Sequence, residues 1–173
     1  MALDKESLDL LFCKCSKKYR VPKLWLKAVA MVESGMNQRA YRYEPEFWKN
    51  YMRDKPEWKD KDPSVVSASY GLMQLMWTTA VGLGFSGTPE DLYDPVYNIE
   101  LGAKLIRQLL DKVLVEGVSN TFPWWSPLDI AMARYNGGRT KNPDPAGGLR
   151  NMRYVLKVRR EWVNYMDKKE VEC

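Results

Sequence analysis

Pro22-Lys23-Leu24-Trp25-Leu26-Lys27-Ala28-Val29-Ala30-Met31-Val32-Glu33-Ser34-Gly35 reads as a helix with both of its ends marked. Pro22 suits the first helical position, where its missing N–H costs nothing. Trp25, Val29 and Val32 fall on one side, Leu24, Ala28 and Met31 lie alongside, and Gly35 stops the run at about Ser34. Glu33 sits at the C-terminal end of this apolar helix. An ionised carboxylate there opposes the helix dipole, and apolar neighbours penalise its charge, so both effects push its pKa upward. A glutamate kept partly protonated near neutral pH is what general-acid cleavage of a glycosidic bond requires. Taken alone, the same residue reads more simply as a solvated helix edge.

Outward from this helix, apolar residues recur at three and four and strict alternation is rare, so the chain is expected to be all-α. Asp4 to Lys18, with Leu8, Leu11 and Phe12 on one side, predicts a first helix. Leu72 to Val81 predicts another. Asn98 to Leu114 carries the clearest stripe, Ile99, Ala103, Ile106, Leu110 and Val113, after the turn signal Asp94-Pro95. Ser126-Pro127 reads as N-cap and first position of a helix to about Tyr135, which Asn136-Gly137-Gly138 ends. Leu149 to Met166 closes the chain, with Met152, Val155, Leu156, Val163 and Met166 as the expected buried face.

Between Met36 and Ser69 the periodicity breaks down into aromatic, proline and charged residues, with one short helix expected near Glu46 to Met52. Loops of this length inside compact domains are commonly functional. Tyr41, Tyr43, Phe47, Trp48, Tyr51 and Trp58 suit either the flat faces of sugar rings or simple packing of the loop onto the domain. No repeat or linker divides the sequence, so residues 1–173 are expected to form a single domain.

The 173 residues carry a net charge of +5, which favours polyanions without specifying one. The basic residues are scattered, and no motif gives nucleic-acid binding a mechanism, so no nucleic-acid partner is expected. The three cysteines, Cys13, Cys15 and Cys173, lack a framework spacing and do not predict a disulfide-stapled fold. Histidine is absent, which excludes Ser-His-Asp and Cys-His nucleophiles and removes the commonest zinc ligand. Any chemistry must then come from carboxylates, hydroxyls, amides, lysines or an added cofactor. No secretory signal and no membrane-spanning run is visible, so an exported chain would have to use another route or be a mature form.

Glu33 keeps informative company. Glu33-Ser34-Gly35-Met36-Asn37, then Ser67-Ala68-Ser69-Tyr70-Gly71-Leu72-Met73-Gln74-Leu75-Met76, then Ala133-Arg134-Tyr135-Asn136-Gly137-Gly138, and finally Tyr154-Val155-Leu156-Lys157-Val158 occur in that order. This ordered set resembles the soluble lytic transglycosylase family of the lysozyme-like superfamily, from about Val21 to Trp162. The resemblance implies a lysozyme-like all-α domain, with a long irregular insertion after the helix of Glu33. It implies Glu33 as the catalytic acid and base, and Gln74 and Met76 beside the sugar. It further implies Ser67 and Ser69 in the region that binds N-acetyl groups, Tyr135 hydrogen-bonding near Glu33, Asn136 and Gly137 shaping the turn, and Tyr154 in the groove. Where the family commonly has proline, this sequence has Gln38 and Trp77, and the stretch from Glu33 to Gly71 is longer than in its simplest members.

Most glycosidases use two carboxyl groups. The resemblance implies one: Glu33 protonates the oxygen between N-acetylmuramic acid and N-acetylglucosamine, then takes the proton of the muramic C6 hydroxyl as that oxygen closes a 1,6-anhydro ring. The implied chemistry needs no metal or organic cofactor. The implied partner is the peptidoglycan glycan strand, met in the periplasm or cell wall after export by another route, phage delivery or as a mature form. A monomer is expected. Two alternatives stay open at this point. One is a goose-type-like hydrolase in which Glu44, Glu46, Asp54, Glu57, Asp60 or Asp62 positions water; the other is a non-catalytic wall-binding module. Met73 and Met76 also read as core fillers, and Gln74 as a partner for backbone groups.

Overall fold

The computed structural model describes residues 2–118, 124–137, 148–168 and 173. Helix α1 spans Lys5–Tyr19, with the Asp4 carboxylate accepting from Ser7 N at 2.8 Å as its N-cap. Helix α2 spans Lys23–Ser34, preceded by Pro22, and ends as expected at Gly35, whose φ is 61°. Every residue from Lys23 to Ala30 is buried, the lysines included. Lys23 and Lys27 are tolerated because their ammonium groups reach Asp9 of α1, at 3.2 and 2.7 Å. The first half of α2 is thus the central rod of the fold, and Glu33 lies where that rod emerges.

The segment after α2 holds three strands that periodicity did not reveal. Strand β1 (Tyr41–Tyr43) pairs antiparallel with β2 (Ala68–Tyr70), which pairs antiparallel with β3 (Leu75–Met76). Between β1 and β2 run α3 (Pro45–Phe47), a π-helical turn (Trp48–Met52) and α4 (Pro63–Val66). The short helix expected near Glu46 to Met52 is therefore present. The continuous helix expected over Leu72 to Val81 is not. Gly71 and Gln74 adopt positive φ values of 71° and 47°, which turns the chain into β3, and helix α5 is confined to Trp77–Gly82. Many of the aromatic rings pack on one another: Tyr41 and Tyr93 both meet Tyr70, and Trp58 meets Trp77 at 5.3 Å.

A 3-10 turn, Pro89–Tyr93, leads into α6, Pro95–Glu116. The helix begins three residues before the expected Asn98, because Asp94 accepts from Val96 N as N-cap and Pro95 occupies the first turn. Ile99, Ala103, Ile106 and Val113 are wholly inaccessible, as their stripe predicts. Helix α7 covers Pro127–Gly137, opened by the expected Ser126 cap; Gly138 lies outside the described residues.

Helix α8 (Met152–Asp167) packs on α2 and α7, with a different face inward from the one expected. Of the expected residues only Val155 is buried, alongside Tyr154, Val158 and Tyr165, whereas Met152, Leu156, Val163 and Met166 stay 45, 49, 45 and 50% exposed. The sequence offers two stripes, and the tyrosine-bearing one wins because Tyr154 and Tyr165 find polar or cationic partners inside, Glu33 and Lys27. Cys13 and Cys173 are joined as a disulfide, with Cα atoms 5.6 Å apart across a separation of 160 residues. Spacing could not foretell a pair brought together by the tertiary fold. Among the described residues, no helix is long and apolar enough to cross a membrane.

Candidate active site

The Glu33 carboxylate is largely withdrawn from water in the last turn of α2, and burial lifts its pKa above the usual carboxyl range. Two neighbours pull the other way: the Tyr154 hydroxyl, which donates to Glu33 Oε1 at 2.7 Å, and the positive charge of Arg42. The negative charge of Glu44 adds to the upward shift, and the loss of hydration prevails overall. Tyr154 is itself buried, and its phenol is raised well above its ordinary pKa by that burial and by the charge of Glu33. It therefore remains a hydrogen-bond donor at any ordinary pH. With Oε1 occupied by this donor, a proton on Glu33 resides on Oε2.

The turn beneath Glu33 is fixed from three directions. Ser34 Oγ donates to Leu72 O at 2.8 Å, with Ala30 O of its own helix the alternative acceptor at 3.0 Å. Tyr135, from α7, donates its hydroxyl to Met73 O at 2.6 Å, and its phenol too is raised by burial and then by the nearby Glu33 charge. Asn98, fully buried in α6, donates to Tyr70 O and Leu92 O, both at 2.8 Å, and accepts from Met73 N at 2.7 Å. A side chain on Gly71 would meet Asn98 Nδ2 at 2.5 Å and Leu92 O at 2.6 Å, so glycine is required there for space as well as for φ. Likewise a Cβ on Gly102 of α6 would stand 2.4 Å from Met73 Sδ, so Met73 is a core filler seated on a glycine.

Cross-strand partners share a face, and the register aligns Arg42 with Ser69 and Ser69 with Met76. Alternation puts Glu44 on the Arg42 side, and the two side chains form an ion pair. Ser67 is fully buried, with its Oγ donating to Glu44 O, and Glu44 N donates back to Ser67 O at 2.8 Å. Ser69 is also buried. Gln74 spends its amide on Ala40 O and Gly71 O, at 3.2 and 3.0 Å.

Of the residues singled out in the sequence, Glu33, Tyr135 and Tyr154 converge, with Tyr154 bonded to Glu33 and Tyr135 to the adjoining turn. Ser69 and Met76 are cross-strand partners on one sheet face, Ser67 is buried with its hydroxyl on the Glu44 carbonyl, and Gln74 braces the turn. Asn136 is exposed at the end of α7. Sequence reasoning passed over Arg42 and Asn98. An asparagine beside the turn signal Asp94-Pro95, at the head of an apolar stripe, was the available signal for Asn98; nothing local marked Arg42. Among the described residues, no cluster of three or more acids and cysteines is arranged to hold a metal ion.

A carboxyl whose pKa is raised, with one oxygen anchored by a donor, can deliver a proton to a bound ether oxygen and then accept one from a hydroxyl. The family model of the transglycosylase SLT domain matches residues 11–146.

Proposed function

The chain belongs to the transglycosylase SLT family, which acts on peptidoglycan, and from that membership we propose that it is a lytic transglycosylase with Glu33 as its single general acid and base. The observation that carries this reading is the Glu33–Tyr154 hydrogen bond to a carboxyl whose burial raises its pKa. In the proposed cycle, the proton on Glu33 Oε2 passes to the oxygen joining C1 of N-acetylmuramic acid to N-acetylglucosamine. The C1–O bond breaks, and positive charge develops on the muramyl ring. Glu33, now ionised, removes the proton of the C6 hydroxyl, and that oxygen bonds to C1. One bond is broken and one made, no water enters, and Glu33 is left protonated for the next turnover.

Ser69 and Met76 would form the sheet wall against the sugars, with Ser67 supporting it from behind and Gln74 holding the turn that shapes it. Asn136 would border the cleft from the end of α7. The chain would work as a monomeric single domain, in the periplasm or cell wall. Mass spectrometry of muropeptides released from purified peptidoglycan tests the reading. Products with 1,6-anhydro ends that disappear in Glu33→Gln support it; undiminished release by that variant sinks it.

A further inference from the structure

We propose that the outer face of α8 docks the domain onto an anionic lipid bilayer. Met152, Leu156, Val163 and Met166 follow one another at four, seven and three residues, a spacing that stacks them along one side of the helix. The fold leaves all four half-exposed. Arg159 falls on the same side, yet its guanidinium is drawn inward, to Asp129 and over the Trp125 ring at 5.9 Å. One step round the helix runs a second row, Arg153, Lys157 and Arg160, spaced by four and three. All three are exposed. Among the described residues Arg153 and Lys157 enter no ion pair, and Arg160 meets only Glu161, at 3.5 Å. The other acid of α8 is Asp167, its last residue.

Exposed apolar side chains gathered in one stripe mark a surface that something covers. The cations beside them select an anionic occupant. Four half-exposed side chains on one helix fall far short of the roughly 800 Å² per partner that a stable protein interface buries, which disfavours a second copy. A self-paired α8 would also bring its basic row against few acids. A dissolved polyanion would engage the cations and leave the apolar row in water. An anionic bilayer satisfies both rows at once. With α8 lying in the membrane plane, the apolar side chains enter the boundary between headgroups and acyl chains, and the arginines and lysine reach the headgroup phosphates. Tyr154 points inward from the opposite side of α8 to Glu33, so docking leaves the carboxyl off the lipid-facing surface.

The experiment sediments the full chain with vesicles of phosphatidylglycerol in phosphatidylcholine, and with vesicles of phosphatidylcholine alone. Wild type is compared with Leu156→Gln/Val163→Gln and Arg153→Gln/Lys157→Gln, each checked for folding by circular dichroism. Wild type is expected to sediment with the anionic vesicles at low salt and to be released as salt rises. Each double variant should partition at least about tenfold more weakly, the first through lost insertion and the second through lost charge. Wild type that stays in the supernatant, or that binds neutral vesicles equally well, overturns the proposal. Unchanged binding by folded Leu156→Gln/Val163→Gln also overturns it, since the face would then be a plain polyanion site. So does analytical ultracentrifugation that finds wild type dimeric without lipid and the same variant monomeric, which would make the face a contact between copies. None of these readouts involves glycan cleavage, so the reading of Glu33 stands or falls separately.

Discussion

Tyr154 Oη donates to Glu33 Oε1 at 2.7 Å, joining residues 121 positions apart in the chain. The bond orients a carboxyl at the end of α2 from a helix that closes the fold. It also stabilises the ionised form, opposing the burial that favours the neutral one. The balance leaves Glu33 raised, yet less raised than burial alone would make it.

Removing that hydroxyl should therefore act on rate and pH dependence together. In Tyr154→Phe the pull toward ionisation is lost, so the Glu33 pKa rises further. The proposed reaction begins with protonated Glu33, so kcat/KM falls as pH climbs through that pKa, and the alkaline limb of the profile moves upward in the variant. Loss of a hydrogen bond to a charged group and of its orienting effect should lower kcat by roughly 10- to 100-fold. A limb that stays in place or moves down would show that Tyr154 does not tune Glu33.

The same burial has a consequence for stability. Because the folded-state pKa of Glu33 is raised, the folded chain binds this proton more tightly than the unfolded one. The resulting stabilisation is fully present below the unfolded carboxyl pKa and is lost as pH rises through the folded value. Above the unfolded carboxyl pKa, Glu33 is thus a burden that an amide, still able to accept from Tyr154, does not impose. Glu33→Gln is expected to melt at a higher temperature than wild type at pH 7, with the difference narrowing toward acidic pH. Thermal melts of both proteins across that range provide the check, and a variant less stable at pH 7 would contradict the argument.

The helices and the position of Glu33 at the end of an apolar one were legible in the sequence because each helix runs long enough for its period to emerge. The sheet was not, since strands of three and two residues cannot display alternation. For the same reason the Arg42 side chain carried no signal: its importance comes from a register with Ser69 that exists only after the chain has folded. In α8 two apolar stripes compete, and choosing between them required knowing that Glu33 waits for a phenol. Tyr154 was legible as a member of a motif, whereas its bond to Glu33 was not.

Asn98 makes three hydrogen bonds to the backbone, at Tyr70 and Met73 on either side of Gly71 and at Leu92, and all three partners lie in the buried interior. Asn98→Ala leaves Met73 N without its acceptor and two carbonyls without donors, which should cost about 3 kcal/mol in urea denaturation. Asn98→Asp should be comparably damaging, because a carboxylate facing Tyr70 O and Leu92 O replaces donors with repulsion. The Gly71–Gln74 turn carries the Leu72 carbonyl that receives Ser34, so activity should fall along with stability. Asn98→Ala stability within about 1 kcal/mol of wild type would mean that the turn holds itself.

The Arg159–Asp129 pair, which ties α8 to α7, predicts an asymmetry. Asp129 is fully buried, accepting from Ser126 N at 2.8 Å and from Arg159 Nε at 2.6 Å, while the Arg159 side chain is 41% exposed. Without Asp129's charge, Arg159 can turn its guanidinium to water. Without Arg159, the carboxylate has no such escape and keeps only the Ser126 donors. Arg159→Met should therefore cost about 3 kcal/mol, and Asp129→Asn, which retains an acceptor for the Ser126 cap, only about 1 kcal/mol. Since α8 carries Tyr154, the costlier variant should also be the slower one on peptidoglycan. Denaturant titrations giving the reverse order would mean that the burial of Asp129 is relieved by something other than Arg159.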